Sequence, residues 1–264
     1  MTKIYAVANQ KGGVGKTTSV VNMAAFLAGS GRRVLMIDVD PQANATSGFG
    51  LDKNEMDPST YDLLLEESAL VDAVLHLDEF KLDVVPSNPG LAGAEVELVN
   101  AIGREYRLQK ALESVNGRYD YILIDCPPSL SLLTVNALTA AGNGVLIPVQ
   151  CEYLALEGLS QLTQSIDLVR KYLNPNLKVR GLIMTMYDSR TNLSRQVVEE
   201  VRKYFPGKVF RTIVPRNIRL SEAPSYGQPI NIYAPNSPGA IAYKVLTAEL
   251  LKGDLQDLQK ETAV

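Results

Sequence analysis

Apolar runs alternate with helical patterns along most of the chain. Ile4–Ala8 reads as a first strand, and a glycine-rich loop follows it. A helix from about Thr17 to Ala28 comes next, ended by Gly29 and Gly31. "RRVLMIDVD" (Arg32–Asp40) is a strand that finishes in carboxylates. Asp57–Leu77 reads as short helices, Leu82–Val85 as a strand, and Ala92–Val115 as a long helix broken near Gly103. "YDYILIDCPPS" (Tyr119–Ser129) holds a buried strand, followed by helix Leu132–Ala141 and strand Gly144–Gln150. Helix Leu154–Tyr172, strand Val179–Tyr187, helix Leu193–Tyr204 and strand Lys208–Val214 continue the alternation. An irregular, proline-rich stretch Pro215–Pro238 precedes a last helix, Ala240–Leu251.

Val/Ile/Leu runs that do not alternate with polar residues belong to strands buried on both faces. Separated by helices, they predict an α/β fold: a doubly wound, mostly parallel sheet with helices on both sides. With no repeat or linker, residues 1–264 are expected to form a single domain ending in a polar tail of about twelve residues. In such a sheet, ligands bind beyond the carboxyl ends of the strands. The polar residues of interest fall there: the glycine loop, Asp38 and Asp40, and Asp125.

"ANQKGGVGKTTS" (Ala8–Ser19) meets the pattern G-x-x-x-x-G-K-[ST] at Gly15, Lys16 and Thr17, but Gln10 stands where its first glycine belongs. Gly12, Gly13 and Gly15 allow successive N–H groups to point into one concavity, and the following helix adds its positive end. Lys16 can reach β- and γ-phosphates, and the Thr17 hydroxyl can ligate Mg²⁺. Asp125 is a second Mg²⁺ carboxylate, direct or through water, or else a helix cap before Pro127. Asp40, followed by Pro41, can orient or deprotonate an attacking water. Asp38 is the weaker, more structural candidate. Lys11 is an extra lysine that a phosphate cradle does not need.

Composition changes the picture in one respect. The net charge is −3, yet Arg170–Leu220 holds twelve Lys/Arg and three Asp/Glu, leaving fourteen basic and 26 acidic residues elsewhere. Such segregation suits either a polyanion footprint or a set of solvated helix faces. The chain runs from Met1 straight into a strand pattern, so no signal peptide is expected, and no apolar run approaches the ~20 residues of a membrane span. A cytoplasmic protein is the expectation. Cys126 and Cys151 are expected in the core, and His76 in a helical region without a partner.

"KGGVGKTT", "DVDPQANATSG" (Asp38–Gly48) and "YILIDCPPSLSLLTVNAL" (Tyr121–Leu138) resemble the deviant Walker A, A′ and B motifs of the ParA/MinD superfamily. "MYDSRTNLS" and "VPRNIRLSEAPSYGQPI" narrow the resemblance to the ParA/Soj branch of chromosome (plasmid) partition ATPases. It covers Lys3 to about Leu251 and departs at Ala43, where many relatives have glycine. The resemblance implies that the loop Gln10, Lys11, Gly12, Gly13, Val14, Gly15, Lys16, Thr17 and Thr18 binds ATP with Mg²⁺. It further implies that Lys11 reaches the phosphates of a partner subunit in a sandwich homodimer, and that Gly12 and Gly13 lie where subunits approach. Pro215 and Asn217 would line the adenine. Arg190 and Arg219, both inside the basic segment, would bind double-stranded DNA without sequence preference, in a protein associated with the nucleoid. A ParB-type centromere-binding protein would stimulate a slow ATPase.

The tail "LKGDLQDLQKETAV" lacks the basic amphipathic character of membrane-binding relatives, so no membrane partner is expected. A nucleotide-gated regulator acting mainly through protein contacts, in replication-initiation control or polar positioning, would carry the same ATPase motifs. A small-metabolite kinase lacks an evident acceptor site.

Overall fold

The computed structural model describes residues 2–153 and 155–261. Its strands are β1 (Lys3–Val7), β2 (Val34–Asp38), β3 (Leu75–Leu77), β4 (Leu82–Val85), β5 (Tyr121–Asp125), β6 (Gly144–Gln150) and β7 (Val179–Thr185). They form one sheet in the order β3-β4-β2-β5-β1-β6-β7, parallel except for the β3–β4 pair. The register sets Val7 and Asp38 beside Asp125, so the carboxylates and the glycine loop leave the sheet at the same level.

The first six helices are α1 (Lys16–Gly29), α2 (Asn44–Gly48), α3 (Thr60–Leu65), α4 (Leu70–Ala73), α5 (Leu91–Glu97) and α6 (Arg107–Glu113). The other six are α7 (Leu132–Ala140), α8 (Ala155–Tyr172), α9 (Asn192–Tyr204), α10 (Ile218–Glu222), α11 (Ile230–Tyr233) and α12 (Pro238–Glu261). Successive strand residues serve opposite faces, as the pleat requires. Leu35, Ile37, Ile122 and Ile124 pack with residues of α5–α8, while Met36, Tyr121 and Leu123 pack under α1 and α12. Full burial of each such side chain stabilises by about 1.5–3 kcal/mol.

Three expectations need correction. Leu75–Leu77 is an antiparallel edge strand, not helix, and His76 there has partners: Nδ1 lies 2.5 Å from Asp83 and Nε2 3.4 Å from Asp78. The carboxylate of Asp83 holds the imidazolium, raising its pKa. The helix predicted over Ala92–Val115 does break near Gly103, as expected, into two helices with 3-10 turns at Leu98–Asn100 and Arg104–Tyr106. Gly103, at φ 68°, supplies the left-handed residue that breaks it. Lys208–Val214 forms no continuous strand: it bonds β7 around Leu182 and at Met184, and between them Glu249 accepts from the N–H groups of Arg211 and Thr212 and so diverts its donors. Leu154, the predicted start of α8, lies outside the described residues.

The third correction concerns the tail. Helix α12 continues through Glu261, and Asp254 within it is buried. Its carboxylate accepts from the hydroxyls of Tyr5 at 2.6 Å and Tyr121 at 2.9 Å and from Arg180 at 2.9 Å. One side chain thus fastens the last helix to β1, β5 and β7. Burial and the neighbouring carboxylate drive the Tyr5 phenol far above its ordinary pKa. Removing one member of a buried ion pair strands the other. Asp254→Ala is therefore expected to destabilise the fold by about 3–5 kcal/mol, seen as a lower urea midpoint.

Candidate nucleotide site

The loop between β1 and α1 is fixed by its neighbours before any ligand is considered. The Asn9 side-chain amide donates to the Pro148 carbonyl at 2.7 Å, and its oxygen accepts from Lys11 N at 3.0 Å. Thr185 Oγ1 donates to the Val14 carbonyl at 2.8 Å, tying the loop to the end of β7. Gly15 at φ 87° opens α1 without a side-chain cap, so the first N–H groups of a 14-residue helix are left for a ligand. Gly13 is also left-handed, at φ 72°. A Cβ added at Gly12 or Gly13 would meet nothing within 4 Å, so the glycines front open space.

That space is a cleft of about 640 Å³, lined by Gly12, Gly13, Gly15, Lys16, Thr17 and Thr18 together with Asp40. Lys16 donates to the Lys11 carbonyl at 3.0 Å, folding its amine over the loop where a phosphate oxygen would compete for it. Burial lowers its pKa, and the carboxylates of Asp125 and Asp40 work against that.

The Thr17 hydroxyl donates to Asp125 Oδ2 at 2.8 Å, while Asp125 Oδ1 is buried with no hydrogen-bond partner. An orphaned carboxylate oxygen beside a threonine hydroxyl is the donor set a hard divalent cation takes. Burial, then the charge of Asp38, pushes the Asp125 carboxyl well above the usual carboxylate range. Burial likewise raises Asp38 to about 6, opposed by hydrogen bonds from the N–H groups of Thr46 and Asp40 and the Thr46 hydroxyl. Those bonds assign Asp38 a structural role: it holds the turn that presents Asp40. Asp40 Oδ1 accepts from Gln42 N at 2.9 Å, which fixes its carboxylate at the cleft wall.

A carboxyl whose pKa is higher folded than unfolded stabilises the fold at acid pH. For Asp125 this contribution is complete below about pH 4 and is lost as pH rises through the raised folded value. Asp125→Asn is thus expected to make the ligand-free protein more stable than wild type at pH 8, by about 1–3 kcal/mol. The two melting curves should converge at low pH.

The structure brings Gly12–Thr18, Asp40 and Asp125 together but leaves Pro215 and Asn217 out of the cleft. Pro215 lines a separate, shallow surface hollow, and Asn217 caps α10 by accepting from Arg219 N. The same proline-rich stretch reaches the cleft slightly later, through Leu220, Pro224 and Gln228. Gly227 is required there: a Cβ on it would lie 2.5 Å from Gly50 Cα. Met186 also lines the cleft, with a left-handed φ of 52°. Gln10 and Lys11 stand outside the cradle, and the Lys11 amine lies 3.2 Å from Glu152. Arg190 and Arg219 are exposed at the surface, each paired with a nearby carboxylate, Asp188 and Glu222. Cys126 and Cys151 are buried and free. No helix among the described residues is long and apolar enough to cross a membrane.

A family profile for an AAA domain matches residues 2–179. Sporulation initiation inhibitor protein Soj of Bacillus subtilis is 56% identical over 95% of this chain and 98% of its own length. The chain belongs to the ParA/Soj family. Chromosome partitioning protein ParA of Myxococcus xanthus is 55% identical over 96% of this chain and 89% of its own. Among solved structures, a cobyrinic acid a,c-diamide synthase from Mycobacterium smegmatis, with bound ADP and magnesium, superposes with a TM-score of 0.84. It is 40% identical and covers 96% of this chain and 95% of its own. Membership in the ParA/Soj family fits the deviant loop, in which Gln10 replaces the first glycine and Lys11 follows it.

Proposed function

We propose that this protein is an ATP-hydrolysing switch for DNA segregation. ATP-bound subunits pair as a sandwich homodimer that holds DNA without sequence preference, and partner-stimulated hydrolysis releases it. The observation that carries this reading is Lys11. It belongs to the phosphate loop, yet its amine points away from the cradle toward Glu152, in a salt bridge exposed on both sides. Such a pair contributes at most about 1 kcal/mol. The lysine is therefore available to the phosphates of a second subunit, where a cation stabilises charge building up on the transferring group.

Within one subunit, the loop N–H groups and Lys16 bind the phosphates, and Asp40 positions and accepts a proton from the attacking water. A Mg²⁺ held by Thr17 and Asp125 would neutralise phosphate charge. Turnover is slow without a partner, since a switch needs a lifetime, and a ParB-type centromere-binding protein is the stimulating partner. The protein works in the cytoplasm on the nucleoid.

DNA binding is assigned to Arg190 and Arg219 in the basic segment. Their present carboxylate partners are surface pairs that cost little to exchange for phosphates. Dimerisation doubles the number of phosphate contacts, and affinity grows steeply with that number. The test is retention of random-sequence duplex with ATP and with ADP. Strong, salt-sensitive retention with ATP only is expected, lost in R190A/R219A. Equal retention with both nucleotides would remove the switch. A double variant that fails to bind DNA yet keeps its cellular function would favour a regulator acting through protein contacts.

A further inference from the structure

The peptide between Val14 and Gly15 can offer a phosphate either a donor or an acceptor. It is trans, so its carbonyl and its N–H point in opposite directions. Gly15 lines the nucleotide cleft at φ 87°, a left-handed value that glycine adopts as readily as a negative one. Nothing in the glycine itself therefore stops this peptide from turning over. Turned over, it would present its carbonyl oxygen to the cleft, where N–H groups bind phosphate oxygens and acceptors repel them.

One bond from outside the loop sets the direction: the Thr185 hydroxyl on the Val14 carbonyl, at 2.8 Å. Thr185 is buried and does not line the cleft, so the carbonyl is drawn away from the cleft and the Gly15 N–H is left facing it. The anchor is itself held. Thr185 ends β7 and pairs with Gln150 of β6, and its carbonyl accepts from Cys151 N at 3.1 Å. Its branched side chain has restricted χ1 freedom, which keeps the hydroxyl in place. Asn9 braces the loop elsewhere, at Lys11 N, and does not bond this peptide. We infer that Thr185 is a positioning residue for nucleotide binding: by holding the Val14 carbonyl, its hydroxyl aims the Gly15 N–H at a phosphate. The inference rests on the phosphate-binding part of the proposed function, and on neither dimerisation nor DNA binding.

The test uses the full chain with Mg-ADP and, as a probe without phosphate, adenosine. T185V keeps the shape of the side chain and removes the donor, whereas T185S keeps the donor. T185V should bind Mg-ADP about tenfold more weakly, the scale of one hydrogen bond to a charged group. Its binding of adenosine should be unchanged, and T185S should bind both like wild type. Undiminished Mg-ADP binding by T185V would overturn the proposal. An equal loss for Mg-ADP and adenosine would overturn it too, since that is what general distortion of the cleft produces. A measurement on wild type decides if T185V does not fold. Val14–Gly15 is the only Val-Gly pair in the sequence. Protein labelled isotopically at valine carbonyl carbon and glycine nitrogen therefore gives a single carbonyl–amide correlation by NMR. Mg-ADP should move its amide proton downfield and adenosine should not; an amide proton unmoved by Mg-ADP refutes the assignment. Wild type that binds no Mg-ADP would remove the nucleotide reading itself, and this inference with it.

Discussion

Asp40→Ala is expected to bind ATP as tightly as wild type and to hydrolyse it about 10²–10⁴-fold more slowly, the range a positioned general base contributes. The geometry separates binding from hydrolysis. In the proposed site, phosphate affinity resides in the loop N–H groups and Lys16, none of which Asp40 supports by hydrogen bond. Asp40 is held from behind instead, by Gln42 N on its carboxylate and by Asp38 on its own N–H. Removing its side chain leaves Asp38 and its three hydrogen bonds in place. In the proposed cycle the ATP-bound dimer then has no exit. Size-exclusion chromatography with ATP should show a persistent dimer, and a monomer would count against Asp40 as the hydrolytic residue.

Lys11→Ala should leave the fold unchanged and abolish either ATP-dependent dimerisation or hydrolysis. The fold is insensitive because the Lys11–Glu152 pair is exposed, and Glu152 keeps Gln150 as a partner at 2.6 Å. In the proposed dimer, activity is sensitive because a cation supplied in trans to a transferring phosphoryl group contributes about 10³–10⁵ in rate. Thermal unfolding without nucleotide should match wild type, while turnover or ATP-induced dimer formation collapses. Wild-type behaviour in both would make Lys11 an ordinary surface lysine.

The phosphate loop, Asp40 and Asp125 were legible in the sequence because each follows a continuous apolar strand. Strand register then brings them to one level without further information. What was hidden depends on distant partners. No local signal shows that Glu249 will take the N–H groups of Arg211 and Thr212, so Lys208–Val214 reads as a full strand. Asp254 sits in a tail that reads as polar and solvated; only the fold supplies Tyr5, Tyr121 and Arg180 around it. His76 lies in a three-residue strand, too short for alternation to reveal. The cleft wall at Leu220, Pro224 and Gln228 was expected a few residues earlier, at Pro215 and Asn217. Proline-rich loops carry no periodicity from which to fix a register. Asn9 could have been found: an asparagine before a turn that holds the next N–H groups is a recognisable local pattern.

Between Asp52 and Glu113 the chain holds fourteen Asp/Glu against five Lys/Arg, the reverse of the basic segment. β4 of the acidic segment and β7 of the basic segment lie at opposite ends of the sheet, so their charges tilt the electric field of the subunit across its strands. In the field of a polyanion such a body turns before it touches. In the proposed cycle, subunits should then arrive on DNA already turned, with the β7 edge leading.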